Sequence, residues 1–394
     1  MRSMVDLWGL NYRKMLKTSL TLFFVVSVIF STIYTPQAIL PTLQKEFHLS
    51  MTQTNMLLSG MLFILMVVTP FYAPLTRHFE KKKIMMVALF FLFVAVLMSA
   101  LATNYYWLLL SRVMQGVFIP GITAMMLSYV QEIYPKEHIG LGMGIYMAST
   151  AFGAVVGRLF SGWITYFYSW REAFGIFAIL LLVALLAMKL GLPSTKNLAT
   201  QKTRLKPSFP MNPKIFAILL IPMVVFFSFM AITTFITYHL AQPPFLLNEA
   251  ELGNLFLVLL LAVVISPLAG KYSDRVGRVK ILFLALFTLI IGIILTFSSS
   301  LILIIIGIGL VTIGMFSVQS VTPTYLGDLV PNYRATVAVL YQTFFYLGGV
   351  MGTLFPVLAW EYGGYAGVVT LCFGLVVIGI SPLLFIILKR KKYE

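Results

Sequence analysis

Long unbroken apolar runs, rather than alternating ones, dominate this chain. Twelve of them can be marked out, at 18–41, 52–73, 84–103, 106–130, 139–165, 172–191, 215–239, 249–270, 279–298, 300–326, 335–359 and 364–388. Each comes close to the ~20 residues a helix needs to cross a bilayer core. Polar positions gather in short breaks between them, apart from one long polar segment, GLPSTKNLATQKTRLKPSFPMNPK, at 191–214. The pattern predicts an all-α polytopic membrane protein with twelve transmembrane helices. It is divided into a six-helix unit over 1–190, a cytoplasmic linker over 191–214 and a second six-helix unit over 215–394. Several runs exceed 24 residues, so tilts or kinks are expected, and Pro36, Pro41, Pro120, Pro222, Pro323 and Pro356 supply the means. The first run is too long for a signal-peptide core and reads as a retained helix.

Composition agrees with this pattern. The 394 residues are 60% hydrophobic and 10% charged, with a mean hydropathy of +0.96; soluble domains are about a quarter charged. A net charge of +16 suggests nucleic acid until its placement is read. Of 28 Lys and Arg, 24 fall before the first run, in every second loop, in the linker or at the C-terminus. Only Lys45 and Arg171 lie in the alternate loops, and Arg112 and Arg158 lie inside apolar runs. By the positive-inside rule both termini are cytoplasmic, and the basic balance reports topology, with no nucleic-acid partner. The one cysteine, Cys372, excludes a disulfide framework and a cysteine metal site. No Gly-x-x-x-x-Gly-Lys-Ser/Thr, His-Glu-x-x-His or nucleophile elbow occurs, so neither ATP-driven nor enzymatic chemistry is indicated, and no cofactor or metal.

The two units echo each other. VVTPFYAPLTRHFEKKKIMM at 67–86 aligns with VISPLAGKYSDRVGRVKILF at 264–283, an offset of 197. SYVQEIYP at 128–135 aligns with TYLGDLVP at 324–331, an offset of 196, pairing Tyr129 with Tyr325 and Glu132 with Asp328. Repeats at near-constant offset imply two pseudo-symmetric bundles with a site between them, as in secondary transporters.

GKYSDRVGRVK at 270–280 resembles the loop motif of the major facilitator superfamily, and it stands where that family's second copy belongs, between helices 8 and 9. The resemblance covers the whole chain. It implies that Gly270, Asp274, Arg275, Gly277 and Arg278 form a gating latch on the cytoplasmic side. The first copy departs from the motif, with Ala73, Arg77 and Glu80 at three of its positions. Either Glu80 substitutes for the missing aspartate, or the latch rests on the second copy. SRVMQG, holding Arg112, Gln115 and Gly116, is similar to the helix-4 motif of the drug:proton antiporter branch. The glycine-rich fifth run resembles the antiporter helix of exporters, with Gly157-Arg158-Leu159 as a variant.

An arginine in a bilayer interior costs from ~2.5 to over 10 kcal/mol and normally faces a partner or water. All twelve acidic residues lie at ends, loops or termini, so no carboxylate accompanies Arg112 and Arg158 in the apolar runs. Three readings stand: both arginines are interhelical glue; one or both attract an anion; or a rim acid such as Glu172 pairs with Arg158 as a switch. Helix 1 carries Tyr34 and Gln37 where many proton-coupled exporters place a carboxylate. Thr233, Thr234, Thr237, Tyr341, Gln342 and Tyr346 add polar groups to helices that line the cavity in that family.

The expectation is a monomeric secondary transporter of the cell inner membrane, multi-pass and working by alternating access. It exports a small organic solute, an anionic or amphiphilic compound among the candidates, with a proton as one candidate coupling partner. Arg158, Arg112, Gln115, Tyr34, Gln37, Thr237, Tyr341 and Gln342 are the substrate-site residues. The alternatives are uptake of an organic anion and, from a different class, a non-transporting membrane receptor.

Overall fold

The computed structural model describes residues 2–72, 74–75, 79–134, 138–194 and 213–390. Ala73 and Arg77 of the first loop motif and most of the 191–214 segment lie outside the described residues. Among the described residues the chain is all-helical, as the apolar runs require: in hydrocarbon a helix satisfies its own backbone. The helices are α1 (Arg2–Tyr34), α2 (Leu40–Glu46), α3 (Met51–Tyr72), α4 (Lys81–Ala100), α5 (Tyr105–Ile133), α6 (Ile139–Phe167) and α7 (Trp170–Gly191). They continue with α8 (Pro213–Leu240), α9 (Glu249–Leu255), α10 (Leu261–Val276), α11 (Arg278–Leu295), α12 (Leu301–Leu329), α13 (Arg334–Leu354) and α14 (Pro356–Arg390). These make twelve candidate membrane spans.

Local chemistry sets several boundaries. The Asn104 side chain accepts from the backbone N–H of Trp107 to start α5, and Ser169 does the same for Arg171 at α7. Asn248 and Glu251 form a reciprocal capping box at α9. Gly277 closes α10 at φ +103°, where a side chain would be strained.

Two spans read from the sequence as single runs are broken. The first ends as α1 at Tyr34, passes through a 3-10 turn at Gln37–Ile39 and resumes as α2. Pro36 is the physical cause, since it has no N–H to give the carbonyl of Thr32. The eighth divides into α9 and α10 around a 3-10 segment, Phe256–Leu260. Pro120, Pro222 and Pro323 do lie inside α5, α8 and α12. Pro41, however, sits in the first turn of α2, and Pro356 opens α14.

The helices form two bundles with matching packing. In the first, α1 packs on α6 and α7, α5 on α3 and α4, and α4 on α7; in the second, α8 packs on α13 and α14, α12 on α10 and α11, and α11 on α14. The match extends to atoms. Gly157 leaves room for no more than a hydrogen against the Ser31 carbonyl, and Gly352 does likewise against the Phe227 carbonyl. Glycines 153 and 348 repeat the contact one turn earlier, against the carbonyls of Ser27 and Met223. Large side chains such as Phe63, Phe90, Leu186 and Ile302 are exposed on the outside, where acyl chains replace water.

The bundles meet at the end remote from the basic loops, called here the far end. There α6 packs on α9, and α3 on α13. Four hydrogen bonds between the bundles lie on this side. Thr42 Oγ1 donates to Glu249 Oε1 (2.6 Å), Trp163 Nε1 to Asn254 Oδ1 (2.9 Å), and Asn55 Nδ2 to the Thr353 carbonyl (2.9 Å). Tyr238 donates to Asn55 Oδ1 (2.8 Å). These contacts close the space between the bundles at the far end.

Candidate substrate site

Both intramembrane arginines reach the break in α1, from different sides. Arg112 on α5 is fully buried. Its Nε donates to the Leu57 carbonyl (3.0 Å), Nη1 to the Thr32 carbonyl (2.9 Å) and to Gln115 Oε1 (2.5 Å), and Nη2 to the Ile33 carbonyl (2.8 Å). The Thr32 carbonyl is the one that Pro36 leaves without a helical donor. Arg112 thus supplies the hydrogen bond that the proline removed. Gln115 is held in turn, its Nε2 donating to Ser99 Oγ (2.8 Å), which lies 2.7 Å from Ser111 Oγ. Four of the five guanidinium N–H donors are used, all on protein.

Arg158 on α6 is as deeply buried, at 1% exposure, and far less engaged. Its Nε donates to Gln37 Oε1 (2.6 Å) and its Nη1 to the Ala154 carbonyl one turn back (2.7 Å). Its guanidinium carbon lies 4.0 Å from the centroid of Tyr34 and 5.0 Å from that of Phe256, a cation–π arrangement drawing one ring from each bundle. Among the described residues three N–H donors remain uncommitted, two on Nη2 and one on Nη1, and no carboxylate pairs with it. Glu172, considered from the sequence as its partner, instead accepts from Ser169 at the far-end loop.

Gln37 links this arginine to the other bundle. Fully buried, it donates from Nε2 to Thr233 Oγ1 and Thr234 Oγ1 on α8, both at 3.0 Å. Thr233 passes its own hydroxyl proton to the Phe229 carbonyl (2.6 Å). The direction of every bond fixes the amide with its oxygen toward Arg158. Gln37 and Thr233 are also related by the repeat offset of 196, so the contact lies near the pseudo-two-fold axis.

From Arg158 toward the basic end the helices of both bundles carry aromatic side chains. Tyr346 on α13 meets Phe345 edge-on at 5.7 Å. Tyr341 lies in a stacked arrangement with Phe345 (5.9 Å), which stacks on Phe226 of α8 at 3.9 Å. Tyr34, Tyr341 and Tyr346 are each partly exposed, and Gln342 is exposed. Thr237 is buried and spends its hydroxyl on the Thr234 carbonyl (2.7 Å). A separate cleft of about 380 Å³ lies at the far end, lined by Thr42, Lys45, Glu46 and Glu249 among others. Its acids are taken up, Glu46 by Arg171 (2.7 Å) and Glu249 by Thr42.

Three ion pairs at the basic end each lie within one bundle. Arg278 Nε lies 2.8 Å from Asp328 Oδ2, and its Nη2 lies 3.4 Å from Asp274 Oδ1. Lys81 pairs with Glu132 in the first bundle. The repeat offsets place Lys81 with Arg278 and Glu132 with Asp328, so the irregular first copy keeps this pair, with lysine in place of arginine. Gly270 is not at a close helix approach: a Cβ there would meet open space. Arg275 is exposed.

A family model described as the Major Facilitator Superfamily matches residues 22–353 and, again, 215–394. The chain belongs to that superfamily. Its relatives are named as transporters. A Bacillus subtilis (strain 168) protein named as the uncharacterized MFS-type transporter YybF is 29% identical over 350 residues, 86% of each chain. The Escherichia coli (strain K12) inner membrane transport protein YnfM is 28% identical, over 90% of this chain and 86% of its own. Among solved structures, a bacterial homologue of the human lysosomal transporter Spinster, in an inward-facing and occupied conformation, superposes with a TM-score of 0.75 at 17% identity. It covers 96% of this chain and 97% of its own. The human organic anion transporter MFSD10 (TETRAN) gives 0.69 at 15% identity, covering 93% and 99%. The protein is thus a multi-pass membrane transporter of the major facilitator type.

Within this transporter the site includes residues that the sequence reading did not single out. Asn55 is an amide inside an apolar run, the signal that marks Gln37. Phe256 carries no such signal, being one apolar residue in an apolar run. Tyr146 stands at the repeat offset of 195 from Tyr341, so the internal repeat points to it.

Proposed function

We propose that this transporter exports a small organic anion from the cytoplasm by alternating access, with Arg158 as the group that receives the anion. The observation that carries the proposal is the pair of adjacent guanidinium nitrogens with uncommitted N–H donors beside the rings of Tyr34 and Phe256. Such a fork matches a carboxylate in two parallel hydrogen bonds. An uncompensated buried cation is unfavourable, and an incoming anion relieves it. The structural likeness to an organic anion transporter accords with this reading.

The basic end is cytoplasmic, by its excess of Lys and Arg, so the conformation described here is inward-facing. Arg112 and Gln115 then brace the broken α1, while Tyr34, Gln37, Tyr341 and Gln342 belong to the anion site or its approach. Opening the far end must part Gln37 from Thr233 and Thr234 and draw Phe256 away from Arg158. Gly270, Asp274, Arg275, Gly277 and Arg278 serve as the latch of the opposite, outward-facing state. Export fits the energetics: an inside-negative potential contributes about 2.3 kcal/mol per charge per 100 mV toward moving an anion out. That drive needs no carboxylate to cycle a proton, and the described cavity offers none.

The test is thermal stabilisation of the purified protein by anionic, neutral and cationic solutes of matched size. Stabilisation by anions, lost in Arg158→Gln, is expected; stabilisation by cations alone defeats the proposal.

A further inference from the structure

The chemistry around Arg158 narrows the anion further, on the reading that Arg158 binds one. Arg112 has four of its five donors on protein, so a ligand finds a free donor edge only on Arg158. A dianion would carry its second negative charge into an apolar chamber without a partner. A carboxylate held in two parallel bonds lies in the guanidinium plane. Tyr34 and Phe256 already line that guanidinium, at 4.0 and 5.0 Å. Tyr346 stands some seven residues before Thr353 on α13, and Thr353 is the repeat counterpart of Arg158 at the offset of 195. At ~1.5 Å per residue Tyr346 therefore lies about 10 Å to the cytoplasmic side of the Arg158 backbone, and closer to the guanidinium, which reaches back to the Ala154 carbonyl. It is partly exposed, as Tyr34 is. Tyr146 and Tyr341, one from each bundle, lie further toward the cytoplasmic side along α6 and α13.

We infer that the ligand is a planar aromatic monocarboxylate, its charge on the free edge of Arg158 and its rings between Tyr34 and Tyr346. A ring conjugated to the carboxylate continues the guanidinium plane into the aromatic gap, where offset stacking adds to simple area burial. A saturated skeleton of the same size is thicker and gains only the area.

Equilibrium binding to the full chain in detergent, with four probes, tests this. The probes are 2-naphthoate, its saturated counterpart decalin-2-carboxylate, the neutral 2-naphthamide and the dianionic 2-naphthyl phosphate. Naphthoate is expected to bind about tenfold more tightly than decalin-2-carboxylate and at least tenfold more tightly than either of the others. Tyr346→Leu should cut the naphthoate-to-decalin ratio to about two while leaving the decalin acid's own affinity within twofold. Equal affinities for the two acids in the parent protein overturn the aromatic inference and leave the anion reading standing. Tighter binding of naphthyl phosphate overturns the monoanion. Naphthamide binding as well as naphthoate, in both the parent and Arg158→Gln, overturns the anion reading itself.

Discussion

Arg112 and Arg158 are both buried, both in the first bundle, and both directed at residues 32–37, yet their surroundings assign them opposite work. Arg112 finds carbonyls that a proline has left short of donors, and it is consumed by them. Arg158 finds one amide, one carbonyl and two rings, and keeps an open edge. Burial and charge alone do not separate a structural arginine from a recognition arginine. The count of satisfied donors does.

The sharpest way to break this contrast is to remove each side chain in turn. Arg112→Ala should destabilise the fold by about 3–5 kcal/mol, the cost of opening a buried charged network. Thermal unfolding in detergent reads it, and a variant as stable as the parent would mean that the α1 break needs no brace. Arg158→Gln should leave unfolding within about 1 kcal/mol, since a buried, underpaired charge contributes little to stability. It should weaken anion binding about 100-fold, the equivalent of two lost charge-assisted bonds at ~1.5 kcal/mol each.

Gln37→Leu tests the link between that arginine and the second bundle. Each lost bond is worth roughly 1 kcal/mol, so far-end opening should rise severalfold. The readout is a slower disulfide cross-link between Thr42→Cys and Glu249→Cys, in a Cys372→Ser background. An unchanged rate contradicts the coupling. The smallest effect is expected at the basic end. Asp274 is 66% exposed and 3.4 Å from Arg278, so Asp274→Asn should cost no more than ~0.5 kcal/mol of stability. Its influence should appear in transport, where a latch for the outward-facing state predicts a severalfold slower rate. An unaltered rate removes Asp274 from that role.

The fold was legible because a bilayer permits so few solutions. Apolar runs of about 20 residues become helices, and the repeat at 67–86 and 264–283 marks the two bundles. The breaks were less visible. Pro36 lies in the sequence for anyone to see, but whether a proline bends a helix or ends it depends on who rescues the orphaned carbonyl. That rescuer, Arg112, stands on another helix. Nothing in the eighth run marks the 3-10 segment at Phe256–Leu260, since its residues are as apolar as their neighbours. The site was legible only in its anomalies. Arg158 and Gln37 stand out as polar groups in hydrocarbon, but Phe256 and the pairing of Asn55 with Tyr238 and Thr353 arise from helix contacts distant in sequence.

The most direct trial of the account is potential-driven uptake of 2-naphthoate into proteoliposomes holding the parent protein or Arg158→Gln. With a potassium diffusion potential set positive inside, the parent should show saturable uptake that grows with the potential, and Arg158→Gln should fall to the rate of protein-free vesicles. Equal uptake by the two proteins would contradict the assignment of Arg158 as the anion-receiving group.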